Sequence, residues 1–187
     1  MKNFGNLDFS LTISFLLPGF IALKGVSYFS DMVNIWLTNC GTASLEIGSI
    51  VFTILASLCL GIIISGLRYI IVDKLLFCGI NKKCLDLDFS EIGGKREDIM
   101  FIVENHYRYH LFYGNTLIAL IGSYLSRGIY FLVDKKYLWQ TRDGFIKEIF
   151  ILIIFLGLTT VLFFSSKDSF GKYADRATKI LKKEEKK

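Results

Sequence analysis

The sequence predicts an all-α polytopic membrane protein with four transmembrane helices, the third of which extends into the cytoplasm. The chain has 187 residues, 52% of them apolar, and the apolar residues are concentrated in long blocks. Each block holds roughly 20 or more mostly apolar residues, and about 20 residues of helix are enough to cross a bilayer core. The four blocks are Phe9–Phe29, Ile47–Val72, Leu111–Val133 and Phe145–Phe164.

Loop charges predict the orientation of these spans. With both termini in the cytoplasm, the cytoplasmic segments contain fifteen lysine and arginine residues, and the outer loops contain three. Cytoplasmic loops of membrane proteins are enriched in these two residues. We therefore expect a bacterial inner-membrane protein with a cytoplasmic N-terminus and a cytoplasmic C-terminus. Pro18 and Lys24 interrupt the first block, so we expect a retained span rather than a signal peptide.

The blocks divide the chain into four parts. These are transmembrane helices 1 and 2 in 1–72, a small cytoplasmic lobe in 73–110, helices 3 and 4 in 111–165, and a basic amphipathic cytoplasmic tail in 166–187. No helix-breaking residue lies between Arg96 and Gly114, so one helix is expected to run from the lobe into span three. The tail suits the surface of an anionic leaflet, or is alternatively a solvated extension.

Small and polar residues recur along one face of span two, and a matching face lies on span three. In lipid such faces mark contacts between helices, because small residues let two backbones approach closely. The contact lies within a subunit, between subunits or along the polar lining of a pore, and the spacing alone favours none of these. The residues are Ser49, Thr53, Ser57, Gly61 and Ser65 on span two, and Ala119, Gly122 and Ser126 on span three.

Pro18 lies in the middle of span one. Proline has no backbone N–H, so the carbonyl of Ser14, four residues earlier, loses its helical donor and the helix is expected to kink. The kink is a candidate hinge of a gated protein, with static packing as the alternative.

Charged residues also occur within the spans, where they are candidates for function. Lys24 and Arg127 are close enough to the outer surface to snorkel toward it. Arg68 is expected either to snorkel toward the cytoplasm or to pair with Asp73 or Glu104.

The stretch VENHYRYHLFYGN, at the entrance to span three, is the candidate ligand or gating site. Glu104 and Arg108 have the four-residue spacing of a helical ion pair. His106 and His110 have the spacing of a zinc motif, but the glutamate base and a third histidine are absent, so no metal site is expected. Asn115 is expected to face the bundle interior, because a buried amide needs hydrogen-bond partners.

Three roles for this stretch remain open. The tyrosines, histidines and arginine suit contact with lipid headgroups, since tyrosine is enriched at membrane interfaces. The histidines suit a sensor of cytoplasmic pH. Several copies of the stretch around an oligomer axis would suit a vestibule for an anionic ligand such as a nucleotide.

No nucleotide-binding loop, Ser-His-Asp arrangement or paired-carboxylate site is evident in the sequence. We therefore expect no enzymatic activity and no cofactor. The net charge of +5 comes mostly from the tail, so direct nucleic-acid binding is not expected either.

The chain resembles a family of small bacterial four-span inner-membrane proteins. The resemblance rests on FLLPGFIALKGVSYFS, GLRYIIVD, DFS and VENHYRYHLFYGN, which are spread over about two-thirds of the chain. Proteins of this kind are similar to the membrane components of bacterial anti-phage defence systems. The resemblance implies a sensor or pore-forming effector that acts beside a soluble partner.

Residues and resemblance together predict an oligomeric membrane protein that acts as a channel-like effector or as a sensor. The bilayer, further copies of the chain and a cytoplasmic protein are its expected partners. The alternatives are a scaffold that recruits a soluble partner through the lobe and, with less support, a small transporter. Four spans without inverted-repeat symmetry argue against the transporter.

Overall fold

The computed structural model describes residues 5–39, 47–78, 96–133 and 142–182, and every element within these ranges is helical. The predicted all-α class is confirmed for this part of the chain. Residues 79–95 of the predicted lobe, residues 134–141 of the predicted outer loop and two of the cysteines, Cys40 and Cys84, lie outside the described residues. The α-helices are α1 Gly5–Val26, α2 Asp31–Asn39, α3 Ile47–Arg68, α4 Arg96–Ile102, α5 Arg108–Val133 and α6 Arg142–Lys182.

Two π-helical segments join these helices. One, Tyr69–Cys78, continues α3, and the other, Val103–Tyr107, links α4 to α5. The chain is therefore helical without a gap from Ile47 to Cys78 and again from Arg96 to Val133. A π-helix closes each turn with one more residue than an α-helix, and such turns are frequent at functional sites.

Three helical stretches among the described residues are long and apolar enough to cross a membrane. They are Ile47–Lys74, Asp98–Val133 and Ile146–Ile180. The shorter apolar stretch Thr12–Val26 belongs to α1. The outward faces of these helices carry large apolar side chains, which suits a surface covered by lipid rather than water.

α1 packs against both α3 and α5, and α6 packs on α5. Two glycines make the contact between α1 and α3 close. A Cβ atom added at Gly19 would lie 1.7 Å from the carbonyl oxygen of Ser57, and one added at Gly61 would lie 2.2 Å from that of Phe15. The small-residue face of span two therefore lies against α1 within the subunit.

α6 differs from the predicted division into a fourth span and a separate tail. It is one helix of 41 residues that passes through the expected boundary at 165/166 without a break. At 1.5 Å per residue its length is about 60 Å, roughly twice the bilayer core. Its last turns pack along α4 and the segment Val103–Tyr107, where the rings of Tyr107 and Tyr173 are 5.1 Å apart. The described part of the tail therefore packs against α4 and Val103–Tyr107.

Candidate functional site

A buried polar cluster joins three helical stretches at one end of the bundle. Its members are Arg68 at the end of α3, Asp73 in the adjoining π-helical segment, His110 near the start of α5 and Ser166 in α6. His110 and Ser166 have no exposed surface. We refer to these four residues as the polar cluster. Charged groups are costly inside apolar surroundings, so the burial of Arg68 and Asp73 makes this end of the bundle a candidate functional site.

The π-helical segment explains why Arg68 and Asp73 meet. In an α-helix, residues five positions apart point about 140° away from each other. The i→i+5 turn of a π-helix brings the fifth residue back to the same face. Nη1 of Arg68 consequently donates to both carboxylate oxygens of Asp73, at 2.9 and 2.7 Å.

His110 connects this ion pair to α6. Its Nε2 is 2.9 Å from Oδ1 of Asp73 and 2.8 Å from Nη1 of Arg68, while its Nδ1 is 2.9 Å from Oγ of Ser166 and 3.1 Å from the carbonyl oxygen of Ser166. Nη1 of Arg68 can only donate and Oδ1 of Asp73 can only accept, so the role of Nε2 depends on the tautomer of His110. With a proton on Nε2 the ring donates to Asp73, and without one it accepts from Arg68.

Nδ1 of His110 lies between two oxygen atoms of Ser166. In the tautomer with its proton on Nε2, Nδ1 accepts from the hydroxyl of Ser166, and in the other tautomer Nδ1 donates to the carbonyl oxygen of the same residue. In both tautomers His110 is hydrogen-bonded to α6.

Gly114 provides the room that Arg68 needs. A Cβ atom at this position would lie 2.7 Å from Cδ of Arg68, 3.0 Å from its Cγ and 3.3 Å from Oγ of Ser166. The arginine stem thus crosses α5 directly over the glycine. Aromatic rings close the other side of His110, with the ring of Phe170 at 4.9 Å and that of Tyr107 at 6.1 Å.

Asn115 makes a second interhelical contact next to the polar cluster. Its Nδ2 donates to the carbonyl oxygen of Ser14 at 3.1 Å. This is the carbonyl that loses a helical donor because Pro18 has no N–H. The side chain of Asn115 in α5 therefore satisfies the backbone carbonyl of Ser14 in α1.

Several buried polar atoms of the described residues lack a hydrogen-bond partner. They are Oγ of Ser57, Nε of Arg68, Nε2 of His106 and Oδ1 of Asn115. Buried polar groups without protein partners are commonly satisfied by ordered water. Three of the four lie on the α3 and α5 surfaces that face the bundle interior.

The predicted site at the entrance to span three is split by the structure. His110 is fully buried in the polar cluster, whereas His106 lies nearer the surface in the π-helical turn. Glu104 and Arg108 lie 3.7 Å apart at their closest charged atoms, which is an ion pair without tight hydrogen-bond geometry. Asn115 is fully buried and faces α1. The five residues therefore do not form one continuous face.

The two predicted faces of small and polar residues are buried to different extents. On span two, Ser49, Thr53, Ser57 and Gly61 are buried and Ser65 is half-buried. On span three, Ala119 is buried, Ser126 is half-buried near Gly25 of α1, and Gly122 is exposed with no atom near its missing side chain.

Two interactions escaped the sequence analysis. Ser166 contacts Nδ1 of His110 and Asp73 contacts Nε2 of the same ring, although spacing indicated no Ser-His-Asp arrangement. Arg127 pairs with Glu148 of α6 and also lies over the ring of Phe131, whereas snorkelling was expected. No local motif could have indicated either contact, because the partners are far apart in the chain.

The Ser-His-Asp contact does not have the access that nucleophilic catalysis requires. A nucleophilic hydroxyl must reach the substrate carbon, and neither Ser166 nor His110 has exposed surface. Among the described residues, no group of three or more His, Cys, Asp or Glu side chains could hold a metal ion. The arrangement binds three helical stretches together.

Comparisons with known proteins give no assignment. No family model matches the chain, and no curated protein or solved structure matches it.

Proposed function

We propose that this chain is a four-span inner-membrane protein with cytoplasmic termini, in which the polar cluster couples the cytoplasmic lobe to the membrane bundle. It acts as an oligomeric sensor or effector beside a soluble partner. The observation that carries the proposal is the complete burial of His110 between Asp73, which opens the lobe segment, and Ser166 of the last span. A change at the lobe that moves Asp73 must disturb the contact with α6.

The coupling role is favoured over a pore within one subunit. The small-residue face of span two, which could have lined a pore, is used by the contact with α1. A conducting pathway would have to form between subunits.

Outward-facing glycines support assembly of several copies. Gly122, Gly128 and Gly157 have no atom within 4 Å of a side chain added there. Such positions on the membrane surface let helices of neighbouring subunits approach closely. A channel formed between subunits is therefore the second candidate function. A role in anti-phage defence rests on the resemblance to four-span defence proteins alone.

Reconstitution of the full chain in lipid vesicles tests the effector role. Ion leakage is followed with an entrapped fluorescent dye for the native chain, for Asp73→Asn and for Asp168→Asn. Asp168 belongs to an exposed pair with Lys172, so its variant is the matched control for loss of a carboxylate. We expect Asp73→Asn to change the leakage rate at least tenfold and Asp168→Asn to leave it unchanged. Equal leakage from all three proteins would argue against an effector.

Affinity purification from cells tests the partner. The native chain and Asp73→Asn are compared after cross-linking of intact cells, with Asp168→Asn again as the control. We expect a soluble protein to be recovered in amounts that depend on Asp73. Recovery of membrane proteins alone, unaffected by the substitution, would count against the sensor and the scaffold together.

A further inference from the structure

The segment Tyr69–Cys78 is π-helical over ten residues, whereas most π-helical turns are single. The polar cluster is built on its first turn. Arg68 directly precedes the segment, and Asp73 is the fifth residue after Arg68. The ion pair therefore depends on the i→i+5 geometry, and the ion pair in turn stabilises that geometry.

An α-helical form of the same segment would place different residues under Arg68. The residue four positions on, Val72, would lie below the guanidinium, and Asp73 would be turned to the side. Asp73 would then leave both Arg68 and His110, its partners at 2.7 and 2.9 Å. The chain thus has two alternative registers, and the contacts of one carboxylate distinguish them.

The contacts of Asp73 provide the energy that holds the π form. The carboxylate accepts two hydrogen bonds from the buried guanidinium of Arg68 and contacts the buried ring of His110, and a buried charge that loses its partner is strongly destabilising. α-Helical hydrogen bonding favours the other form, since long π-helices are rare. Hydrogen bonding favours the α-helical form and the ionic contact of Asp73 favours the π-helical form. A segment whose form depends on one contact can act as a switch.

We propose that Tyr69–Cys78 is a register switch in which pairing of Asp73 with Arg68 and His110 holds the π-helical form. Loss of that pairing returns the segment to an α-helix, rotates Asp73 and Lys74 about the helix axis and frees His110 and α6 from the carboxylate. The signal is a cationic group that competes for the carboxylate of Asp73. The inference deepens the coupling role proposed above and rests on it for its purpose.

Distances between spin labels test the rotation directly. Serine replaces Cys40, Cys59, Cys78 and Cys84, and labels are attached in the full chain at Lys74→Cys and Leu125→Cys. A reference pair uses Ile63→Cys and Leu125→Cys. Lys74, Ile63 and Leu125 are exposed, so the labels leave the described packing intact. Pulsed electron resonance measures both distances with and without Asp73→Asn.

We expect Asp73→Asn to shift the distance from Lys74 to Leu125 by several ångströms and to leave the distance from Ile63 to Leu125 unchanged. An unchanged distance from Lys74 would overturn the switch. A shift of both distances would overturn it as well, because it would indicate a loosened bundle rather than a local rotation.

Single-residue deletions give a second test that keeps the charge of Asp73. Removal of Ile70, an exposed residue of the π-helical segment, brings Arg68 and Asp73 to the four-residue spacing at which an α-helix forms ion pairs. Removal of Ile62, an equally outward residue in the body of α3, turns the buried face of that helix away from α1. We expect the Ile70 deletion to fold with a thermal midpoint near that of the native chain, and the Ile62 deletion to misfold. Equal damage from both deletions would overturn the proposal.

These measurements are independent of leakage and of partner binding. If the label at Lys74 moves while the vesicle and purification experiments are negative, the switch stands and the coupling function fails. If leakage depends on Asp73 while the label does not move, the function stands and the switch fails.

Discussion

A single nitrogen of Arg68, Nη1, donates to both carboxylate oxygens of Asp73, and the side chains of the two residues are only 3% and 9% exposed. Both charges are therefore withdrawn from water. Their attraction offsets the desolvation cost only while both partners remain and the geometry is good. Nε2 of His110 lies 2.9 Å from Oδ1 of the same carboxylate, and in one tautomer of the ring it supplies a further donor to this buried group.

Loss of one charge of this pair is predicted to cost more than loss of both. Asp73→Asn leaves the guanidinium buried without a counter-ion, which typically costs about 3–5 kcal/mol. The double substitution Arg68→Leu with Asp73→Leu removes both buried charges and should recover most of that loss. Thermal unfolding in detergent micelles measures the two effects. A double variant less stable than Asp73→Asn would contradict this account of the pair.

The contact between α1 and α3 is predicted to depend on Gly61 and not on Gly66 of the same helix. An alanine Cβ at Gly61 would meet the backbone of Phe15, which can yield only if the helices separate. Overpacking of this kind typically costs about 1–3 kcal/mol. Nothing lies within 4 Å at Gly66, so alanine there should be neutral or slightly stabilising. Unfolding of Gly61→Ala and Gly66→Ala in the same micelles compares them, and equal stabilities would refute the packing argument.

His110 and His106 are predicted to differ in their importance for stability, although the sequence places them four residues apart. His110→Ala removes the link between Asp73 and Ser166 and leaves a cavity, so a loss of about 2–4 kcal/mol is expected. His106→Ala removes a side chain whose Nε2 has no hydrogen-bond partner and should change stability by less than about 1 kcal/mol. The comparison uses unfolding midpoints at one fixed pH. A larger loss of stability from His106→Ala than from His110→Ala would mean that the polar cluster is not the main stabilising contact at this end of the bundle.

Sequence periodicity was sufficient for the outline of the fold. The apolar blocks predicted helices long enough to span a membrane, and the four-residue spacing from Ser49 to Gly61 predicted a helix contact, since both follow from 3.6 residues per turn. The helical run from Arg96 to Val133 also follows from the absence of a breaker.

The polar cluster could be predicted only in part. Charge complementarity indicated Asp73 as one of two partners for Arg68, but the pair forms through a π-helical turn, because their five-residue spacing is unfavourable in the α-helix that periodicity assumes. Ser166 reaches His110 across 56 positions of the chain, at a place that periodicity treats as the end of a span. The contact depends on how α6 packs on α5, which the local sequence does not specify.

The hydrogen bond between Asn115 and the carbonyl of Ser14 is predicted to be coupled energetically to Pro18. In the native chain Pro18 has no N–H to offer to that carbonyl, and Nδ2 of Asn115 donates to it at 3.1 Å. Pro18→Ala restores a backbone donor, so the carbonyl then depends less on the asparagine. Asn115→Ala should consequently destabilise the native chain more than it destabilises the Pro18→Ala chain. A double-mutant cycle on unfolding free energies should give a coupling of about 0.5–1.5 kcal/mol, the net value of one hydrogen bond.

Thr116→Ala, at the adjacent position, is the control for this cycle, because its hydroxyl donates to the carbonyl of Phe112 in its own helix. We expect no coupling between Thr116→Ala and Pro18→Ala. If the Asn115 cycle gives a coupling no larger than this control, the asparagine does not compensate for the proline. Pro18 would then be accommodated by the packing of α1 against α3 and α5 alone, and the prediction of a hinge controlled from α5 would be wrong.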